Sequence, residues 1–111
     1  MTASPKGNID RRELLPGLFP DQEQWLFVSG LAGASRDAAA LTGDGAHLYT
    51  MAGTMGAAVP MGLGVALSAP GRKVAVINGD GEMLMGMGAF ATIANHPVRN
   101  LAIIVLDTAG L

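Results

Sequence analysis

The stretch that most constrains this chain is Val74-Ala75-Val76-Ile77-Asn78-Gly79-Asp80-Gly81-Glu82, an apolar run that ends in a carboxylate set between two glycines. An uninterrupted run of this kind suits a strand covered on both faces, the situation of a parallel sheet. Ligands of open α/β sheets gather at the carboxyl ends of the strands, so the turn over residues 78–82 is the expected ligand site. Leu101-Ala102-Ile103-Ile104-Val105-Leu106 is a second such run and predicts another central parallel strand. Between the two, Glu82 to Asn95 reads as one helix, apolar almost all round. That composition predicts burial on more than one side, inside a multi-layer domain or against a second subunit, with the methionines as gap-filling core. Strand, turn, helix and strand form a right-handed βαβ unit, which brings the ends of both strands to one edge.

The remaining elements are placed by their punctuation. Residues 1–9 are polar with Gly and Pro and read as a flexible N-terminus. Asp10 is a candidate cap for a short helix to Leu18, ended by Pro16-Gly17 or by Pro20. Trp25 to Ser29 reads as the first strand, Gly30 to Ser35 as a turn and Arg36 to Leu41 as a short helix. Gly43-Asp44-Gly45 repeats the letters of the later motif, yet it follows a helical composition and reads as an ordinary turn. His47 to Met51 predicts a short strand or extended approach, with His47 a polar surface residue. Ala52 to Val59 is a glycine-rich loop feeding a helix to about Ser68, with Pro60 inside its first turn. Gly62 and Gly64 then lie within that helix, at about 1 kcal/mol each against alanine. A close neighbour against their face is the expected reason.

Composition narrows the function. Half of the 111 residues are apolar and 14% are charged, enough for one domain with a real core. Net charge is −2 and the only adjacent basic pair in the second half is Arg72-Lys73, which reads as a solvated loop. Neither nucleic acid nor an anionic membrane is therefore an expected partner. No apolar stretch reaches the roughly 18–20 residues that span a bilayer, no signal-peptide pattern opens the chain, and cysteine is absent, so a cytoplasmic protein is expected.

At the common edge, Asp80 after one strand meets Asp107 or Thr108 after the next. One carboxylate with neutral oxygens is a Mg²⁺-type donor set, one that also uses phosphates of a bound molecule. The amides of Gly81 and Glu82 open the following helix and suit an anion. A dinucleotide fingerprint fails because glycine is required where Leu84 stands, and no Gly-Lys-Ser/Thr of a P-loop occurs.

These residues resemble the thiamine diphosphate-dependent 2-oxo acid decarboxylases and their relatives, whose signature is Gly-Asp-Gly followed by a helix, a strand and an Asn-containing turn. Gly79-Asp80-Gly81 and Asp107-Thr108 match it, and Gly53-Thr54-Met55-Gly56 is similar to the loop that supports the aminopyrimidine end of the cofactor. The variant Gly-Asp-Gly-Glu-Met-Leu-Met is most similar to the separate β-subunits of sulfopyruvate and phosphonopyruvate decarboxylase-like enzymes. The resemblance implies a three-layer α/β/α fold with a mainly parallel sheet over residues 10–111, cut short at its C-terminus. It implies thiamine diphosphate and Mg²⁺ as cofactors and a small 2-oxo acid as substrate. Asp80, Thr108 and the Gly110 carbonyl would hold the metal, and Thr108 stands where the family has Asn, shortening the reach by roughly 1 Å. Gly79, Gly81 and Glu82 would receive the diphosphate, the Gly53 carbonyl would accept from the cofactor's 4′-amino group, and Met55, beside Thr54, would prop its bent shape.

The glutamate that activates the cofactor in these enzymes comes from another domain, and Glu13, Glu23 and Glu82 are not candidates for it. The resemblance thus implies a partner subunit or domain with the pyrimidine-binding half, and no catalytic residue in this chain. Two other readings keep the same turn: a truncated, non-catalytic remnant or regulatory domain, and a phosphate-binding α/β module unrelated to thiamine.

Overall fold

A computed structural model describes residues 11–30, 32–51 and 54–106. Asp10, Gly53, Asp107, Thr108 and Gly110, named above, lie outside the described residues. The elements are α1 (Arg11–Leu18), a 3₁₀ turn (Gln22–Gln24), β1 (Trp25–Ser29), α2 (Ala32–Thr42), β2 (Leu48–Thr50), α3 (Ala58–Ser68), β3 (Lys73–Gly79), α4 (Asp80–Met85), α5 (Ala89–Asn95) and β4 (Leu101–Leu106). The four strands form one sheet in the order β2-β1-β3-β4, every pair parallel.

Alternation along the strands sorts the core into two layers. Phe27, Ala75, Ile77 and Leu106 face Leu15, Phe19, Ala34 and Ala38 of the α1–α2 side. Val28 and Val76 face Ala58, Val59, Met83 and Ala89 on the other. The architecture is therefore three-layer α/β/α, and β3, buried from Val74 to Asn78, is its centre. Phe19 anchors the first layer, edge-on to Trp25 and Phe27 at centroid distances of 5.0 and 5.2 Å.

The N-terminal edge of the sheet is laced by polar contacts. The Asn100 side-chain amide donates to the carbonyls of Ala66, Ala69 and Arg72 at 3.0, 3.1 and 2.8 Å, closing the end of α3. Lys73 opens β3, pairs with Asp21 at 3.4 Å and lies over the Trp25 ring, so it belongs to the sheet and not to a solvated loop. Both partners are exposed, which makes the ion pair worth little.

Several expectations change. Of the two ends offered for α1, Pro16-Gly17 does not apply: Pro16 lies within the helix, which runs to Leu18 as expected, ahead of Pro20. The turn after β1 is shorter than expected and α2 is longer, starting at Ala32. His47 is half-buried: its ring nitrogen bonds Gln22 Oε1 and the ring meets Phe27 edge-on, tying the approach to β2 back to the 3₁₀ turn. The helix expected over Glu82 to Asn95 is two helices, broken at Gly86-Met87-Gly88, where two glycines remove the side chains that would sustain it. It is not buried on all sides either: Met83 and Ala89 are core, whereas Leu84, Met85, Met87 and Phe90 are exposed. β4 is the outermost strand of the described sheet, half-buried along most of its length where a central strand was expected. The turn at Gly43-Asp44 is an ordinary one, with both residues at positive φ (63° and 54°) ending α2.

Pro60 sits in the first turn of α3, where its missing N–H costs no helical bond. Of the two glycines within α3, only Gly62 has a packing reason: a Cβ there would overlap Val76 Cγ2 of β3, while one on Gly64 would meet nothing within 4 Å. Gly62→Ala should therefore lower stability by about 1–3 kcal/mol through overpacking. Gly64→Ala should leave it unchanged or raise it by up to about 1 kcal/mol. Urea denaturation of the two variants checks this; equal effects would contradict the close α3–β3 approach.

Candidate functional site

The strand order reverses between β1 and β3, since β1 leads outward to β2 and the chain then returns to β1's other side. In a parallel sheet this switch opens a crevice beyond the carboxyl ends of the two strands, the usual ligand position. Pairing persists to the lip of that crevice: the Gly30 N–H donates to the Ile77 carbonyl and the Met51 N–H to the Ser29 carbonyl, both at 2.9 Å. Beyond it lie three chain segments, the exit of β1 at Gly30, the loop 54–57 before α3, and the turn from β3 into α4.

The turn is tighter than the sequence suggests. Gly79 is the last residue of β3 and Asp80 already the first of α4, so the carboxylate stands at the strand–helix junction itself. Asp80 is half-buried and its Oδ1 accepts from the Gly81 N–H at 2.9 Å. Gly79 pairs in register with Leu106, the last residue of β4, so Asp80 lies beside the point where β4 ends. Among the described residues no group of three or more His, Asp or Glu side chains is arranged to hold a metal. Of the three expected metal ligands, Asp80 alone lies among the described residues.

The loop and the turn, distant in sequence, are packed on each other. A Cβ on Gly81 would lie 3.6 Å from the Met55 methyl carbon. Gly56, at φ +89°, puts its carbonyl against Gly86 so closely that a Cβ on Gly86 would overlap it. Met55 itself is 46% exposed and stands over Gly81, outside the core clusters. Thr54 is exposed and its N–H donates to the Met51 carbonyl at 3.1 Å. The structure thus brings Thr54, Met55, Gly79, Asp80, Gly81 and Glu82 to one crevice.

Three contributions go beyond what the sequence reveals. Glu82 is expected there only for its backbone, but its side chain is 4% exposed and its carboxylate fills the space over Gly30, where a Cβ would overlap it. Gly30 reads as no more than a turn residue; the signal is a glycine immediately after a strand. Asn78 is 1% exposed, with its Nδ2 donating to Met83 Sδ at 3.6 Å and its Oδ1 without a hydrogen-bond partner among the described residues. The signal there is a polar residue closing an apolar strand.

A comparison with protein families matches residues 32–111 to the model described as "Thiamine pyrophosphate enzyme, C-terminal TPP binding domain". Among curated proteins, phosphonopyruvate decarboxylase of Streptomyces viridochromogenes is 45% identical over 80 residues, 72% of this chain and 20% of that protein. Sulfopyruvate decarboxylase subunit beta of Methanothermobacter thermautotrophicus is 37% identical over 99 residues, 89% of this chain and 51% of that subunit. The corresponding subunit of Methanocaldococcus jannaschii is 39% identical over 62 residues, covering 56% of this chain and 32% of the subunit. The chain spans about half or less of the length of these relatives. With the parallel sheet, the switch-point crevice and the Gly79-Asp80-Gly81 junction in place, the chain belongs to the thiamine pyrophosphate enzymes, as a C-terminal TPP-binding domain.

Proposed function

We propose that this chain supplies the metal–diphosphate half of a thiamine diphosphate site in a 2-oxo acid decarboxylase of the sulfopyruvate and phosphonopyruvate type. The observation that carries this reading is the contact of the Met55-Gly56 loop with the Gly81–Gly86 helix at the switch point, which joins two separate sequence motifs into one crevice. Asp80 is the protein's charged ligand to Mg²⁺, with Thr108 and the Gly110 carbonyl completing its protein donors. The backbone around Gly79, Gly81 and Glu82 receives the diphosphate, while Gly53, Thr54 and Met55 support the pyrimidine end. The bound cofactor supplies the electron sink for loss of CO₂ from the 2-oxo acid. This chain's part is to bind and orient it. The domain corresponds to residues 10–111, preceded by a short N-terminal segment.

A partner subunit or domain provides the pyrimidine-binding half with its glutamate. Two observations support this: relatives named as beta subunits, and a run of exposed apolar side chains on α4 and α5, with Leu84 70%, Met85 66% and Phe90 46% exposed. Side chains of this size exposed together mark an interaction surface.

Calorimetric titration with thiamine diphosphate, with and without Mg²⁺, should give metal-dependent binding. Asp80→Ala should weaken it by more than the 10–100-fold typical of losing an outer-shell partner. Metal-independent binding, or an unchanged Asp80→Ala, would count against the assignment. Gly86→Ala should push the Gly56 carbonyl away, costing about 1–3 kcal/mol of stability and loosening cofactor binding with it. Gly88→Ala, which meets nothing within 4 Å, is the matched control and should do neither. The purified chain should not decarboxylate sulfopyruvate or phosphonopyruvate alone, and should do so with its partner; turnover by the isolated chain would overturn the two-part site.

A further inference from the structure

Helix α2 opens without a capping residue in its own sequence. Gly30-Leu31-Ala32 leads into it with no side-chain oxygen, and its first turn holds no acidic residue. Ser29, one position further back, is fully buried and its Oγ makes no hydrogen bond among the described residues. The first N–H groups of an α-helix have no partner within it and carry the positive end of its dipole. A serine, threonine, aspartate or asparagine just before the helix normally meets them, and here none is present.

A carboxylate from another element stands at that end. Glu82, in the first turn of α4, is 4% exposed, and its carboxylate lies so close to Gly30 that a side chain there would overlap it. The Gly30 N–H is committed to the Ile77 carbonyl at 2.9 Å, and the N–H groups next along the chain are those that open α2. A buried carboxylate is costly unless hydrogen-bonded, and a helix start supplies donors and positive charge together. The same contact bears on α4. With six residues, α4 is far shorter than the roughly 12–15 at which an isolated helix becomes stable, so its direction is set by what its ends touch. Gly86 closes it by donating to the Glu82 carbonyl at 3.0 Å and abuts the Gly56 carbonyl. The Glu82 side chain is the corresponding tether at the other end, joining the turn over residues 79–82 to the exit of β1.

We propose that Glu82 caps α2 from a distance: its carboxylate accepts a hydrogen bond from an N–H group that opens α2, and so fixes the start of α4 over the switch point. On the thiamine diphosphate reading, on which this second role rests, Glu82 is a positioning residue for the cofactor, because the backbone assigned to the diphosphate is that of the turn it tethers. The side chain acts through Gly30 and α2, not on the ligand.

Amide hydrogen exchange without ligand and calorimetric affinity for thiamine diphosphate at fixed Mg²⁺, both on the full chain, test the two roles separately. Glu82→Ala should speed exchange over residues 32–34 about tenfold relative to the rest of α2, the worth of one hydrogen bond. It should also weaken Mg²⁺-dependent binding by about tenfold or more, as for loss of an outer-shell partner. Glu82→Gln keeps an acceptor oxygen at the same reach and should restore most of both. Gly30→Ala should reproduce the losses by displacing the carboxylate, and should add little in the Glu82→Ala background. Unchanged exchange at the start of α2 in Glu82→Ala, or additive effects of the two alanine substitutions, would overturn the cap. Faster exchange with undiminished affinity, in a chain whose wild type binds, would leave a purely structural cap and overturn the positioning role. Absence of Mg²⁺-dependent binding in the wild-type chain would remove the thiamine diphosphate reading and the positioning role with it, while exchange still decides the cap.

Discussion

Everything in this domain depends on β3 being parallel to both of its neighbours. Parallel pairing with β1 and β4 forces every connection to cross a face of the sheet, which places helices on both sides and excludes water from Val74 through Asn78. The same pairing sends all strand ends to one edge. Because β1 and β3 carry the chain's reversal of direction, that edge contains a cleft that no backbone connection fills. Chemistry collects there as a consequence of topology, and Asp80 is presented to it by the tightest possible strand-to-helix junction.

How much of this is legible in the sequence follows from which interactions are local. Val74 to Ile77, Leu101 to Leu106, the Gly43-Asp44 turn and the helix through Pro60 are all specified by residues adjacent in the chain, and the structure has each of them. The parallel three-layer class follows from the apolar strands and the helical stretches between them. Where sequence and structure part, the deciding contacts are distant. Gly62 and Gly64 are the same residue in the same helix, and only Val76, on another element, distinguishes them. That position 86 tolerates no side chain reflects the Gly56 carbonyl, which lies thirty positions upstream.

For the site, residue types are readable and side-chain directions are not. Gly79-Asp80-Gly81 and Met55 are identified by motif, and their mutual contact by the fold. Glu82 shows the limit: as a letter after Gly-Asp-Gly it suggests only a backbone amide. The helix phase set by Asp80 turns its carboxylate inward over Gly30, and phase depends on where α4 begins. Thr108 and Gly110 remain assignments by motif.

The Asn100 amide, at the edge of the sheet opposite the cleft, joins the carbonyls of Ala66 and Ala69 at the end of α3, and that of Arg72 just before β3, to the start of β4. One edge of the molecule is thus devoted to holding the sheet together, and the other to holding the segments of the crevice on one another. Substitutions around Asn100 are felt in folding and reach any ligand only indirectly, whereas a change in the 54–57 loop is felt at once by α4, on which it is packed.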